Sequence, residues 1–219
     1  MLWGLWGGEY ADQYVSKLYR MVRRNTSVDF DFICLCDRPI RCRDSNIHIL
    51  PIPPHITKWQ FNLPKTYLHY PFEELKGRQI LFFDLDTIIV GNIDHFLNYR
   101  GSLCGIEPFA PNNRGKHIGG GVLSFECGAY RGIFTAVEAN PVQWAKKTQG
   151  GKERLLLKDF EEQYDGYNYW QKLYPSHVVS FKRHCKRNNI PTDARIIAFH
   201  GIPKPHEVIK NRIVRKYWR

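Results

Sequence analysis

Two carboxylates one residue apart, Asp84 and Asp86, follow directly on the apolar run Ile80-Leu81-Phe82-Phe83. A run that apolar reads as a buried strand, so both acids leave its C-terminal end, where open α/β sheets place their ligands. Two carboxylates ~4 Å apart repel by about 4 kcal/mol at an effective dielectric near ~20. A divalent cation turns that repulsion into attraction and grips a diphosphate at the same time. The plainer alternative is one aspartate capping the next turn and the other standing in solvent.

A second group of chemistry-bearing residues lies far along the chain, in Phe199-His200-Gly201-Ile202-Pro203-Lys204-Pro205-His206. A histidine ends an apolar run, a glycine follows, and a lysine stands between two prolines. His200 has the chemistry to complete a metal site, Gly201 to let backbone approach a phosphate, and Lys204 to neutralise it. A purely structural histidine at a strand end is the competing reading. The run Gly119-Gly120-Gly121, opening into Val122-Leu123-Ser124-Phe125, permits close approach of a ligand to the main chain, or is simply a hairpin connection. Asp165, in Tyr164-Asp165-Gly166-Tyr167-Asn168-Tyr169-Trp170, sets an acid beside aromatic faces of the kind that dress a sugar site. With Trp59, the aromatics Tyr167, Tyr169 and Trp170 are candidates to line an acceptor cleft, or equally to pack the core.

These residues need elements to position them. Apolar runs alternate with amphipathic segments, the pattern of an α/β domain. Strands are expected at Leu2 to Trp6, Phe30 to Cys36, Ile47 to Ile52, Gln79 to Phe83, Leu103 to Glu107, Val122 to Phe125, His177 to Phe181 and Arg195 to Phe199. Tyr10, Tyr14, Leu18 and Val22 recur at helical spacing and predict a helix ending near Arg24. Further helices are expected at Pro64 to Tyr70, with proline near its first position, at Tyr130 to Ala139 and at Tyr167 to Tyr174. The 219 residues carry no repeat and no break in composition, so one domain, residues 1–219, is expected.

The net charge of +11 points to anionic partners: nucleic acid, an anionic membrane surface or a phosphorylated small molecule. Much of it sits in Lys182 to Arg187 and Lys210 to Arg219, and a basic patch near Ile213, Val214 and Trp218 is compatible with peripheral membrane contact. No apolar run approaches the ~20 residues of a membrane-spanning helix. The start of the chain does not read as a signal peptide. Six cysteines without a Cys-x-x-Cys pair then read as reduced thiols in a cytoplasmic protein. Zinc on Cys34, Cys36, Cys42 and His184 is disfavoured, because the spacing matches no standard knuckle.

Taken in order, these stretches resemble the type-A-fold glycosyltransferases with an Asp-x-Asp motif, closest to family 8-like enzymes and their small bacterial or viral relatives. The resemblance implies a Rossmann-like fold with a central mixed, mostly parallel sheet. It implies transfer of a sugar from a nucleotide-diphosphate donor, with uridine as the base, to a hydroxyl of a glycan, glycoprotein or glycolipid acceptor. Leu5, Trp6, Gly7 and Tyr10 look like the first strand and the nucleotide-facing helix, and Asp37 like the residue that holds base or ribose. Asn62 and Lys65 look like the segment that presents a lysine to the donor. Asp84, Leu85 and Asp86 resemble the metal motif, and Gly120 and Gly121 take the place of an Asn-Ser-Gly-like sugar-binding turn. His200, Gly201 and Lys204 resemble the C-terminal histidine and phosphate-binding lysine, although the spacing between them is shorter than in family 8 proper. The metal ligands implied are Asp84, Asp86 and His200; their oxygen and imidazole donors favour Mn²⁺, with Mg²⁺ as the alternative. The Asp-Gln pair of the family appears only as Asp165-Gly166, which leaves Asp165 as the candidate to orient or deprotonate the acceptor hydroxyl.

Two rivals compete. A phosphatase of the haloacid-dehalogenase type also places an Asp-x-Asp after an apolar strand, but its motif continues Gly-Thr, and Ile88 stands where that threonine belongs. A basic nucleic-acid-binding module fits the charge and the 14% aromatic content, yet leaves Asp84, Asp86 and His200 without a role. Nucleic acid is therefore not the expected partner.

Overall fold

The computed structural model describes residues 2–3, 9–42 and 44–219. Ten strands run through it: β1 Leu2–Trp3, β2 Phe32–Cys36, β3 Ile47–Pro51, β4 Gln79–Asp84, β5 Ile88–Ile89, β6 Cys104–Ile106, β7 Gly119–Glu126, β8 Asn168–Tyr169, β9 Val178–Ser180 and β10 Ile196–Ala198. Seven form one mixed sheet in the order β3-β2-β1-β4-β7-β6-β8, and three form a smaller one in the order β5-β10-β9. In the large sheet β3, β2, β1 and β4 are mutually parallel, β7 is antiparallel to β4 and β6, and β8 returns parallel to β6. The mixed, mostly parallel sheet expected from sequence is therefore present.

β4 shows why its sequence reads as an apolar run. Ile80 and Phe82 face one core cluster, while Leu81 and Phe83 face the other. A strand covered on both faces has no solvent side to alternate toward. The long helix Glu9–Arg23 covers one face with Tyr14, Val15, Leu18, Tyr19 and Val22, the residues expected from their spacing. The 3-10 helix Leu63–His69 and the helix Arg131–Ala139 cover the other. Full burial of a side chain such as Phe82 contributes roughly 1.5–3 kcal/mol.

The chain runs outward from β1 through β2 to β3, then returns to place β4 on the other side of β1. That reversal opens a crevice beyond the C-terminal ends of β1 and β4, and Trp3 pairs with Asp84 there. The Asp-x-Asp motif thus stands at the switch point of the sheet.

Several expectations are corrected by packing. Tyr167 to Tyr174 is not one helix: it is the strand β8 followed by the short helix Trp170–Leu173. Tyr167, Tyr169 and Trp170 are buried in the core, and Trp59 packs on Phe134, so none of these aromatics lines the cleft described below. Ile213, Val214 and Trp218 are likewise buried, which removes the apolar part of the expected membrane-facing patch. No helix among the described residues is long and apolar enough to cross a membrane. All six cysteines are free.

Candidate functional site

A cleft of about 660 Å³ opens at the switch point and is lined by Asp84, Asp86, the glycines 119 to 121, Glu153, His200, Gly201 and Lys204, among others. It joins the ends of β4 and β10, the start of β7 and the start of the helix Glu153–Glu161. Segments more than a hundred residues apart therefore meet over one space.

Each carboxylate of the Asp-x-Asp motif has its own lysine. Lys65 Nζ donates to Asp84 Oδ1 at 2.8 Å, to Glu153 at 3.0 Å and to the Gly120 carbonyl at 2.9 Å. Burial would lower the Lys65 ammonium, but Asp84 and Glu153 outweigh it and hold the pKa above the ordinary lysine value. Glu153 is raised by burial and by Asp84, against the pull of Lys65. Lys204 Nζ donates to Asp86 Oδ2. Asp86 is pushed up to about 6, by burial first and by the neighbouring Asp84 second, with Lys204 acting in the opposite direction.

His200 follows β10. Its Nε2 lies 2.7 Å from Oγ of the fully buried Ser180, and its ring stacks on Phe109 with centroids 5.5 Å apart. Ser180 Oγ accepts from the Arg183 amide and pairs with Nε2 either as donor or as acceptor, according to the ring's tautomer. With the proton on Nε2, Nδ1 is the acceptor. Burial, then Lys182, Arg183, Lys204 and His184, lower the pKa of His200 and favour the neutral ring.

Glycine is required at two positions here. A side chain at Gly120 would lie 2.1 Å from the Glu153 carboxylate. The room opened by Gly120 is therefore filled by Glu153, which corrects the reading of the glycine run as free approach for a ligand. Gly201 has a φ of +66°, a left-handed conformation that glycine adopts without strain.

The expected site residues divide clearly. Asn62, Asp84, Asp86, Gly120, Gly121, His200, Gly201 and Lys204 line the cleft, and Lys65 reaches it through Asp84. Leu85 is half-buried and packs against the core. Asp37 is exposed in a bend after β2 and does not line the cleft. Asp165 is also absent from it: it occupies an exposed left-handed turn with φ 55° that ends a 3-10 turn. Tyr10 lies in the first turn of the helix Glu9–Arg23, whereas Leu5, Trp6 and Gly7 fall outside the described residues.

Sequence reasoning missed Glu153, Ser180 and Phe109. Glu153 was marked only by a helix start, an acid after Gly150-Gly151 and before the apolar residues Leu156, Leu157 and Phe160. Ser180 and Phe109 carry no local signal.

Two carboxylates on one cleft, one of them buried and raised, form a donor set that a divalent cation would relieve. The three-ligand set with His200 is not assembled: among the described residues no three His, Cys, Asp or Glu side chains converge closely enough to hold a metal ion.

No protein-family model matches the sequence, and no curated protein matches it. Solved structures do. The galactosyltransferase LgtC in complex with donor and acceptor sugar analogues superposes with a TM-score of 0.69 at 13% identity, over 98% of this chain and 92% of that one. An active-site mutant of LgtC gives 0.66 at 13% identity, over 93% and 88%. The glycosyltransferase GlyE of Streptococcus pneumoniae TIGR4 gives 0.60 at 13% identity, over 93% of this chain and 55% of that one. The single α/β unit described here has the type-A fold of these glycosyltransferases.

Proposed function

We propose that the chain is a glycosyltransferase that moves a sugar from a nucleotide-diphosphate donor to a hydroxyl of a glycan or glycolipid. The observation that carries this reading is the meeting of Asp84, Asp86, His200 and Lys204 on one cleft at the switch point of the sheet. The type-A fold favours sugar transfer over the phosphatase and nucleic-acid-binding alternatives. UDP is the donor nucleotide implied by the resemblance, and LgtC, crystallised with donor and acceptor sugar analogues, has its fold in common with this chain.

The residues have distinct tasks in this reading. Asp84 and Asp86 would hold a divalent cation, Mn²⁺ or alternatively Mg²⁺, which would supply Lewis-acid stabilisation of charge on the departing diphosphate. Lys204 leaves Asp86 and turns its ammonium to the diphosphate, where it stabilises the same developing charge. His200, hydrogen-bonded to Ser180, would join the donor set through its other ring nitrogen only if its side chain moved toward the two carboxylates. Lys65 fixes Asp84 and Glu153 relative to each other, so that the motif is oriented before the donor arrives. Glu153, half-buried beside Gly120, would bind hydroxyls of the transferred sugar. The placement of Asp165 gives no support to its role toward the acceptor.

Calorimetry of UDP binding in Mn²⁺ and in chelator tests the reading. Tight binding only with metal, lost in Asp86→Ala with the fold intact, is the expected result. Equal affinity in both buffers removes the metal from the proposal.

A further inference from the structure

We infer that the acceptor carries negative charge beside the hydroxyl that receives the sugar, as phosphate, sulfate or carboxylate groups on a glycan. This rests on the transferase reading and concerns the outer part of the same cleft.

The argument is one of charge balance. The three carboxylates of the inner cleft, Asp84, Asp86 and Glu153, face the two ammonium groups of Lys65 and Lys204. A divalent cation and the dianionic diphosphate of a donor would cancel each other, which leaves the inner cleft one negative charge that a single further cation would balance. Yet Lys152, Arg154 and Arg183 also line the cleft, and among the described residues none of the three is paired with a carboxylate.

They come from two separate elements. Lys152 and Arg154 flank Glu153 at the start of its helix, while Arg183 belongs to the short helix Phe181–His184 after β9. Arg154 and Arg183 are exposed. One further cation stands at the rim: a side-chain carbon at the lining residue Gly201 would lie 3.3 Å from Lys182 Nζ. Like charges gathered around one concavity repel, and an anion that enters it relieves that cost. A solvated basic surface would instead spread these residues over convex faces. A neutral acceptor has no use for them.

The probes are a phosphorylated pentamannoside, the same pentamannoside after removal of its phosphate, and an oligogalacturonate of similar length. Binding is measured by calorimetry at ~150 mM salt, with Mn²⁺ and saturating UDP present, so that the donor site is filled and screening suppresses diffuse attraction. The expected result is at least about tenfold tighter binding of one anionic sugar than of the neutral one. Arg154→Gln and Arg183→Gln should each lose about tenfold, while Lys216→Gln, on the distant terminal helix, changes nothing. Preference for the phosphorylated probe or for the uronate names the anionic group. Equal binding of neutral and anionic sugars overturns the inference, as does equal loss in Lys216→Gln. An anionic sugar that binds in a parallel titration without UDP but not with it also overturns the inference, since the rim cations then serve the donor. Failure of UDP itself to bind, seen in the first titration, would count against the transferase reading and not against an anionic ligand in this cleft.

Discussion

Lys204 and Asp86 stand 118 residues apart in the chain and meet as an ion pair inside the cleft. Asp86 has only 12% of its side chain exposed, so its charge needs a partner whether or not a cation is present. An ammonium that covers a metal ligand must leave before the metal binds there. Lys204→Ala should therefore bind Mn²⁺ alone at least as tightly as the parent protein, and UDP in Mn²⁺ about tenfold more weakly. Electron paramagnetic resonance of free Mn²⁺ and calorimetry of UDP give the two affinities. Equal losses in both would make Lys204 a structural brace of Asp86 and not a phosphate ligand.

Lys65 makes a different prediction, because it holds two carboxylates at once and is itself 6% exposed. Removing one partner of a buried ionic group strands the others, at a cost of about 3–5 kcal/mol. Lys65→Met should lower the unfolding free energy read from urea titration by an amount in that range. Glu153→Gln keeps the shape and the hydrogen bond to Lys65 while removing one charge, and should cost much less. If the two substitutions are equally mild, the cluster is open enough for water to replace the lysine.

Local pattern and long-range packing divide what the sequence revealed. β4 and the helix Glu9–Arg23 were legible because burial imposes a pattern on neighbouring residues: an unbroken apolar run for a strand covered on both faces, a 3.6 period for a helix covered on one. Asp84 and Asp86 were legible because they interrupt such a run. The aromatics Tyr167, Tyr169 and Trp170 were left open between cleft and core, since an aromatic cluster looks the same in both, and the pairing of β8 with β6 accompanies their burial in the core. Glu153 was invisible for a related reason. Its partners Lys65, Asp84 and Gly120 come from three other segments, and nothing local distinguishes a carboxylate that turns inward from one that caps a helix. Asp165 failed in the opposite sense, because an aspartate before glycine is a turn signal as often as a site, and here it is the turn.

His95 governs a pH effect on stability away from the cleft. Its Nε2 lies 2.9 Å from Nδ1 of His177, and its ring packs on Phe96 and Tyr174. Burial, then His177 and Arg195, lower its pKa to about 4. The unfolded chain thus binds the proton more tightly than the folded one between about 6.5 and about 4, and stability falls as pH drops through that window. With a discount for partial exposure the loss at pH ~5 is about 1 kcal/mol. Urea titrations at pH 7 and 5 should show this loss in the parent protein and a smaller one in His95→Gln. The same loss in both would assign the effect to other groups.

The pH dependence of the site itself separates His200 from Asp86. Both must be deprotonated to hold a cation, so metal binding displaces a proton from each at sufficiently low pH. Judged by its reference pKa near ~3.9, an aspartate would stay ionised throughout this range. Burial and Asp84 instead bring Asp86 to about 6, so it titrates in the same region as an imidazole. His200 titrates below the ordinary histidine value, because burial and the surrounding cations disfavour its charge. Metal-dependent UDP affinity should therefore change little above pH ~7 and fall increasingly steeply below pH ~6. At the acid end the slope of log affinity against pH approaches about two where both groups ligate, and about one in His200→Asn. Ser180→Ala should keep the steep slope but weaken affinity at neutral pH, since it loosens the ring without removing it. His117, which lines the cleft, would act with the opposite sign if it bound phosphate as a cation, and would tighten binding as pH falls. Identical slopes in the parent protein and His200→Asn would leave Asp84 and Asp86 as the metal ligands and make His200 a packing partner of Phe109.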